Sequence, residues 1–303
     1  MSYTLVLEWM PGDLYMSAVT ARCTAPTSSY SVVWLPPNKV YQITLYCGST
    51  SLVSFLVGAF RGKAWSYMSS TTLLSLNKLS VWYTANHPVL SDFSLDLGTN
   101  EVVGLIGLNG AGKTTFIKTV AGLLPGYHQD SAVWEGQPFA FRDKAFKRSR
   151  YIVFAEDRSF QYFTFREYLA YVVASYGVPL PDVTGLVKGF HFEDYTDVLL
   201  KELSTGNLKK AYLITAFALR PKLLLLDEPV NGLDFQSTEF LYQLMGGYKQ
   251  YGILLFSSHI LESICLTSDR VLVLEHGKIS QTFTGAEIAA GNIREVLTDE
   301  EHH

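Results

Sequence analysis

Residues Gly107-Leu108-Asn109-Gly110-Ala111-Gly112-Lys113-Thr114-Thr115 constrain this chain more than any other stretch. They follow a short apolar run, Val102 to Ile106, and precede Phe116 to Leu124, where apolar residues recur at helical spacing until Pro125-Gly126 stops them. Strand, glycine-rich loop and helix in that order is the context in which a G-x-x-x-x-G-K-T string holds phosphate. The glycines let successive backbone N–H groups approach a triphosphate that a side-chain-bearing loop would keep away. Lys113 supplies a point charge to the outer phosphates, the helix N-terminus adds its dipole, and Thr114 can offer its hydroxyl to Mg²⁺. A glycine turn that merely joins strand to helix is the competing reading, and the flanking elements weigh against it. Gly107, Asn109, Gly110, Ala111, Gly112, Lys113, Thr114 and Thr115 are therefore expected to bind a nucleotide.

A second chemical element lies well downstream. Pro221 punctuates entry to Leu223-Leu224-Leu225-Leu226, a fully buried strand by length and composition, which ends in Asp227-Glu228. An acidic residue at the carboxyl end of a buried parallel strand lies near the phosphate loop, at the crevice of the sheet. Asp227 is suited to hold Mg²⁺ and Glu228 to orient or deprotonate an attacking water. Ordinary strand-end carboxylates are the bland alternative. Hydrolysis needs two adjacent carboxylates with different roles, one neutralising the metal and one handling the proton.

At 303 residues, 33.8 kDa and 48% hydrophobic content, the chain can bury one large core or two modest ones. A net charge of −4 and a pI near 6.0 argue against a nucleic-acid partner, whose phosphates call for a basic surface. Cys23, Cys47 and Cys265 have no metal-site spacing and form no disulfide framework, which suits a reducing compartment. No run approaches the roughly 18 apolar residues of a spanning helix. The nearest, Leu52 to Phe60, is short and interrupted by Ser54 and Gly58. Work at a membrane would need another chain to cross it.

The chain divides into an N-terminal extension over 1–69, a main domain over 70–285 and a polar tail over 286–303. Up to residue 67 the only charges are Glu8, Asp13, Arg22, Lys39, Arg61 and Lys63, among many Ser, Thr, Tyr and Trp. Three readings stay open for this part: a small β-rich or poorly ordered extension, an interaction segment, or sequence upstream of a true start at Met68. From Leu73 the pattern turns regular, with short strands expected at Leu73–Leu76, Leu79–Tyr83 and Val89–Leu97. Arg142, Lys144, Lys147, Arg148 and Arg150 read as a solvated helix face, with contact to anionic lipid as the minority reading. Residues 157–220 look like a helical insertion, and Glu275 to Lys278 like a hairpin turn.

These residues carry a family resemblance. Leu203-Ser204-Thr205-Gly206-Asn207, close upstream of the Asp227-Glu228 strand, resembles the signature motif of ABC-transporter ATPases, with Thr205 and Asn207 departing from its commonest form. The resemblance implies that Ser204 and Gly206 meet the γ-phosphate of ATP held by an opposite subunit, in a head-to-tail pair of cassettes with two ATPs between them. Tyr83 looks like the aromatic that stacks on adenine, with Trp82 as its competitor. Asn231-Gly232-Leu233-Asp234 resembles the loop that crosses to the other subunit, and His259 the switch histidine at the γ-phosphate. Glu156 stands where many members carry a glutamine that ligates the metal. An ionised glutamate accepts hydrogen bonds but donates none, so altered tuning is expected.

The resemblance spans about residues 70–282, and six separated motifs fall in its order. Glu156, the Asn231–Asp234 string and Ser258-His259-Ile260-Leu261-Glu262 look like the ABC-2 exporter branch. The chain has one phosphate loop, no long heptad insertion, and too little sequence after His259 for the regulatory barrel of many sugar importers. The fold expected is a mixed α/β P-loop core with an antiparallel β flank and a helical subdomain. The function expected is the ATPase subunit of an exporter, with ATP and Mg²⁺ as ligands. A second cassette and a separate membrane permease would be its partners, at the cytoplasmic face of the membrane. Its catalytic residues would be Glu228, His259 and Lys113, and its metal ligands Thr114, Asp227 and Glu156. Two rivals are a soluble ATPase that drives an assembly, and a nucleotide-binding regulator with weak hydrolysis.

Overall fold

The computed structural model describes residues 29–34, 41–46, 72–84 and 87–299. The chain divides into two units, Met1–Ser70 and Thr71–His303. In the first, β1 (Ser29–Trp34) pairs antiparallel with β2 (Tyr41–Tyr46), Ser29 opposite Tyr46. Met68 and the Leu52 to Phe60 run lie outside the described residues.

The second unit begins with β3 (Thr72–Thr84) and β4 (His87–Gly98), followed by β5 (Val102–Ile106) and α1 (Lys113–Val120). Next come β6 (Tyr127–His128), β7 (Ser131–Trp134), β8 (Gln137–Pro138), α2 (Lys144–Ser149) and β9 (Arg150–Val153). The insertion supplies α3 (Phe165–Tyr176), α4 (Thr184–Gly189) and α5 (Thr205–Leu219). The chain then runs through β10 (Leu223–Asp227), α6 (Phe235–Gly246), β11 (Ile253–Ser257) and α7 (Leu261–Thr267). It closes with β12 (Arg270–Glu275), β13 (Lys278–Thr284) and α8 (Ala290–Asp299).

The central sheet has the order β13-β12-β5-β11-β10-β9. Neighbours from β12 to β9 are parallel, and β13 closes one edge antiparallel. Strands buried on both faces read as continuous apolar runs, which is why Val102 to Ile106, Leu223 to Leu226 and Ile253 to Phe256 carry no alternation of polarity. Their side chains nevertheless point alternately to two layers. Ile106, Leu224, Leu226, Leu254 and Phe256 join the core under the helical insertion. Val103, Leu105, Leu223, Leu225, Ile253 and Leu255 join a second core with Phe116, Ile117 and Val120 of α1 and the antiparallel sheet β4-β3-β7-β8. Parallel pairing puts the carboxyl ends of β5, β10 and β11 at one edge of the sheet, where a ligand crevice forms.

The structure departs from the sequence pattern in three places. The strands expected at Leu73–Leu76 and Leu79–Tyr83 are one, β3, whose break in alternation is an irregular step at Lys78, with φ of +48°. Arg150 leaves the basic surface: it is buried, stacks over the Phe146 ring at 4.4 Å and donates to the Ala121 carbonyl at the end of α1. The segment expected as a polar tail carries α8, because Ile293, Val296 and Leu297 share one helical face and pack on the core.

The helical insertion follows its local signals. Thr164 and Glu167 form a reciprocal capping box at the start of α3, and Gly177 ends that helix at φ +73°. The Glu275 to Lys278 turn is a two-residue hairpin loop, His276-Gly277, both residues with positive φ.

Candidate functional site

The phosphate loop leaves β5 and enters α1 through Gly112, whose φ of +113° only glycine adopts without strain. A Cβ there would also sit 2.7 Å from the Leu90 side chain. No side chain caps α1, so its first N–H groups and the positive end of its dipole stay available to an anion. Lys113, 7% exposed, turns its ammonium back onto the loop and donates to the carbonyls of Gly107 (2.7 Å) and Leu108 (3.1 Å). Burial pushes its pKa down, while the Glu228 and Asp227 carboxylates pull it up.

The three parallel strand ends then interlock. Thr114 Oγ1 donates to Asp227 Oδ2 at 3.0 Å. Asp227 is buried, and Ser257 Oγ donates to its Oδ1 at 2.7 Å. Glu228 follows with φ of +48°, donates its backbone N–H to Ser257 Oγ at 3.0 Å, and meets His259 Nδ1 at 2.8 Å through its Oε2. Asn109, Gly110, Gly112, Lys113, Thr114, Thr115 and Glu228 line an open depression above this cluster. Its hydroxyl and carboxylate oxygens are the hard donors that Mg²⁺ takes, and Mg²⁺ binds through one or two protein groups with phosphate and water completing the shell. Among the described residues no group of three His, Cys, Asp or Glu side chains forms a denser metal cage.

Of the two candidate aromatics, Tyr83 is exposed, with its hydroxyl 3.5 Å from Thr115 Oγ1, whereas Trp82 is half-buried and packs against Gly126. Ser204, Gly206 and Asp234 form a separate patch that does not line the depression of the same chain. Ser204 caps α5 by accepting the Asn207 N–H (3.2 Å). Gly206 lies against the loop at Gly232, where a Cβ would meet the Gly232 carbonyl oxygen at 2.3 Å. Asp234 caps α6 through the Ser237 N–H and pairs with the buried ammonium of Lys210 at 2.6 Å. Burial disfavours its charge, but the bonds from Lys210 and Ser237 outweigh that and hold the carboxyl well below the usual range.

Glu156 is exposed, and its carboxylate is one of four whose charge acts on Lys209. Lys209, 4% exposed, donates from its ammonium to the Phe154 and Ala155 carbonyls at 2.8 Å each. Burial pushes its pKa down to about 8, against the pull of Asp227, Asp157, Glu228 and Glu156. Ser257 and Lys209 thus belong to the cluster although the motifs do not single them out. The signal for Ser257 was present: it is the polar end of an apolar strand, in register with Asp227. Lys209 reads in sequence as one more helix lysine.

The sequence profile of a family described as ABC transporter matches residues 90–231. AlbC of Bacillus subtilis, an ABC transporter ATP-binding protein by name, is 33% identical over 222 residues, 69% of this chain and 91% of its own length. The xylose import ATP-binding protein XylG of Escherichia coli is 27% identical over 257 residues, 76% of this chain and 49% of XylG. A solved structure described as the ATP-binding subunit of an ABC transporter superposes with a TM-score of 0.66 at 29% identity, covering 76% of this chain and 98% of that one.

Proposed function

The chain belongs to the ABC transporter family of ATP-binding proteins, which hydrolyse ATP, and from that premise we propose how its own residues divide the work. The loop Gly107–Thr115 and the start of α1 bind the phosphates of ATP, Lys113 leaves its carbonyl partners to meet the outer ones, and Tyr83 stacks on the base. Thr114, Asp227 and Glu156 would hold Mg²⁺, which supplies charge neutralisation between the phosphates when bound. Glu228 orients and deprotonates the attacking water, and His259, in contact with the same carboxylate, steadies it and the charge that develops on the γ-phosphate. That the depression and the Ser204–Asp234 patch are separate within one chain supports a head-to-tail pair, Lys113 of one cassette facing Ser204 of the other.

Hydrolysis would drive a separate membrane permease from the cytoplasmic face. No helix among the described residues is long and apolar enough to cross a membrane. Export is favoured by Glu156, the Asn231–Asp234 string and the Ser258–Glu262 flank, although the similarity to XylG reaches a protein named for import. The observation that carries the reading is the meeting of Lys113, Thr114, Asp227, Glu228 and His259 at one sheet edge. The test is to tag the C-terminus, solubilise native membranes in mild detergent and identify what co-purifies. A polytopic protein in stable ratio supports the transporter assignment, and its sequence narrows substrate and direction. Recovery with soluble partners alone would move the chain to an assembly ATPase.

A further inference from the structure

Glu228 can act as a base only if its carboxylate is held over the phosphate depression, yet it sits in a conformation that side-chain-bearing residues seldom adopt, with φ of +48°. Such a backbone persists where surrounding groups over-determine it, and here those groups come from the end of β11. Ser257 is fully buried and in register with Asp227. A hydroxyl has one proton to donate and two lone pairs to accept with. The proton of Ser257 goes to Asp227 Oδ1 at 2.7 Å, and its oxygen accepts the Glu228 N–H at 3.0 Å. His259, two residues further on, takes the other end of Glu228 at 2.8 Å. The strand end therefore grips Glu228 at its backbone and at its carboxylate, and the same hydroxyl orients the neighbouring Asp227.

We infer that Ser257 is a positioning residue for hydrolysis, its hydroxyl bridging the Asp227 carboxylate and the Glu228 amide so that the Glu228 carboxylate stays aimed at the phosphate depression. The inference rests on the proposed role of Glu228. A merely structural serine would be expected to tie β10 to β11, but backbone pairing already does so from Leu223 to Asp227. Nor does Ser258 share this role, since its Oγ accepts the Ile260 N–H and meets Ser263 Oγ at the start of α7.

The test compares the parent chain with Ser257→Ala and Ser257→Thr by kcat, KM for ATP, ATP affinity in EDTA and melting temperature. Ser257→Ala is expected to lower kcat by about 10- to 100-fold, the scale of a small misplacement of a reacting group. KM and metal-free affinity should stay near the parent, the melting temperature should fall only modestly as the Asp227 carboxylate and the Glu228 N–H lose a buried partner, and Ser257→Thr, which keeps the hydroxyl, should recover most of kcat. A parental kcat in Ser257→Ala overturns the inference, as does a joint fall of kcat, affinity and melting temperature. If Ser257→Ala does not fold, Ser257→Cys fills the same space with a weak donor and carries the same comparison. Misfolding of both makes the hydroxyl a structural tie and overturns the inference. A parent chain that binds ATP but does not hydrolyse it would instead refute the role of Glu228, a different result from an active parent matched by an active Ser257→Ala.

Discussion

Replacing Lys209 by methionine should reveal a buried charge through the pH dependence of stability. Lys209 is 4% exposed, and burial lowers the pKa of its ammonium from 10.5 to about 8 against the pull of four carboxylates. The unfolded chain keeps the proton up to about 10.5, so between the two values it binds more protons than the folded chain. Stability then rises with pH across that window. Below about 8 both states are charged and the net cost of burying the charge stands in full, about 3 kcal/mol at 1.36 kcal/mol per unit. The methionine side chain would lack both this cost and the two bonds to the Phe154 and Ala155 carbonyls, and the latter loss does not change with pH. The parent and Lys209→Met are unfolded in denaturant at about pH 7 and about pH 9.5, without nucleotide or divalent metal. The stability of the parent relative to the variant should increase by about 2 kcal/mol from the lower pH to the higher. A difference that stays constant, or shrinks, would mean that the ammonium remains solvated and that α5 does not close over the residues before Glu156.

Three further outcomes are expected. Glu228→Gln should keep ATP binding, accumulate an ATP-bound dimer by size exclusion, and lower phosphate release by about 10²- to 10⁴-fold, the usual worth of a positioned base; release at the parental rate would reject the assignment. Gly206→Ala puts a methyl where the Gly232 carbonyl lies 2.3 Å away and should cost about 1–3 kcal/mol in denaturant unfolding as the two loops part. Asp234→Asn removes the charged partner of the buried Lys210 ammonium. Because the Asp234 carboxyl titrates below its ordinary 3.8, the stability it contributes is present above that value and lost on acidification. The deficit of the variant in thermal melts should therefore be full at about pH 6 and shrink as pH falls below about 4.

The motifs could be read from the chain because each restricts residue type over a few neighbours: a loop that must bend at Gly112, a strand that must end in carboxylates, a helix that must begin at a cap. What escaped depends on partners distant in sequence. Arg150 looks like part of a basic surface until Ala121 and Phe146 close around it, and Ile293 looks like a stray apolar residue until α8 meets the core. Ser257 shows its use only beside Asp227, thirty residues away. Lys209 and Lys210 make the point most sharply, since adjacent lysines on α5 are indistinguishable by composition. One reaches the carbonyls before Glu156, and the other the carboxylate of Asp234. Neither ammonium has much water around it, so neither can let go without a new partner. The start of α5, with Ser204 and Gly206, is therefore tied on one side to the chain leading into Glu156 and on the other to the loop that packs Gly232 against it. Any displacement of α5 must be shared by both neighbours or break an ion pair or a buried lysine's hydrogen bonds. A shift of the helix that begins at Ser204 would therefore be felt both at the chain leading into Glu156 and at Asp234.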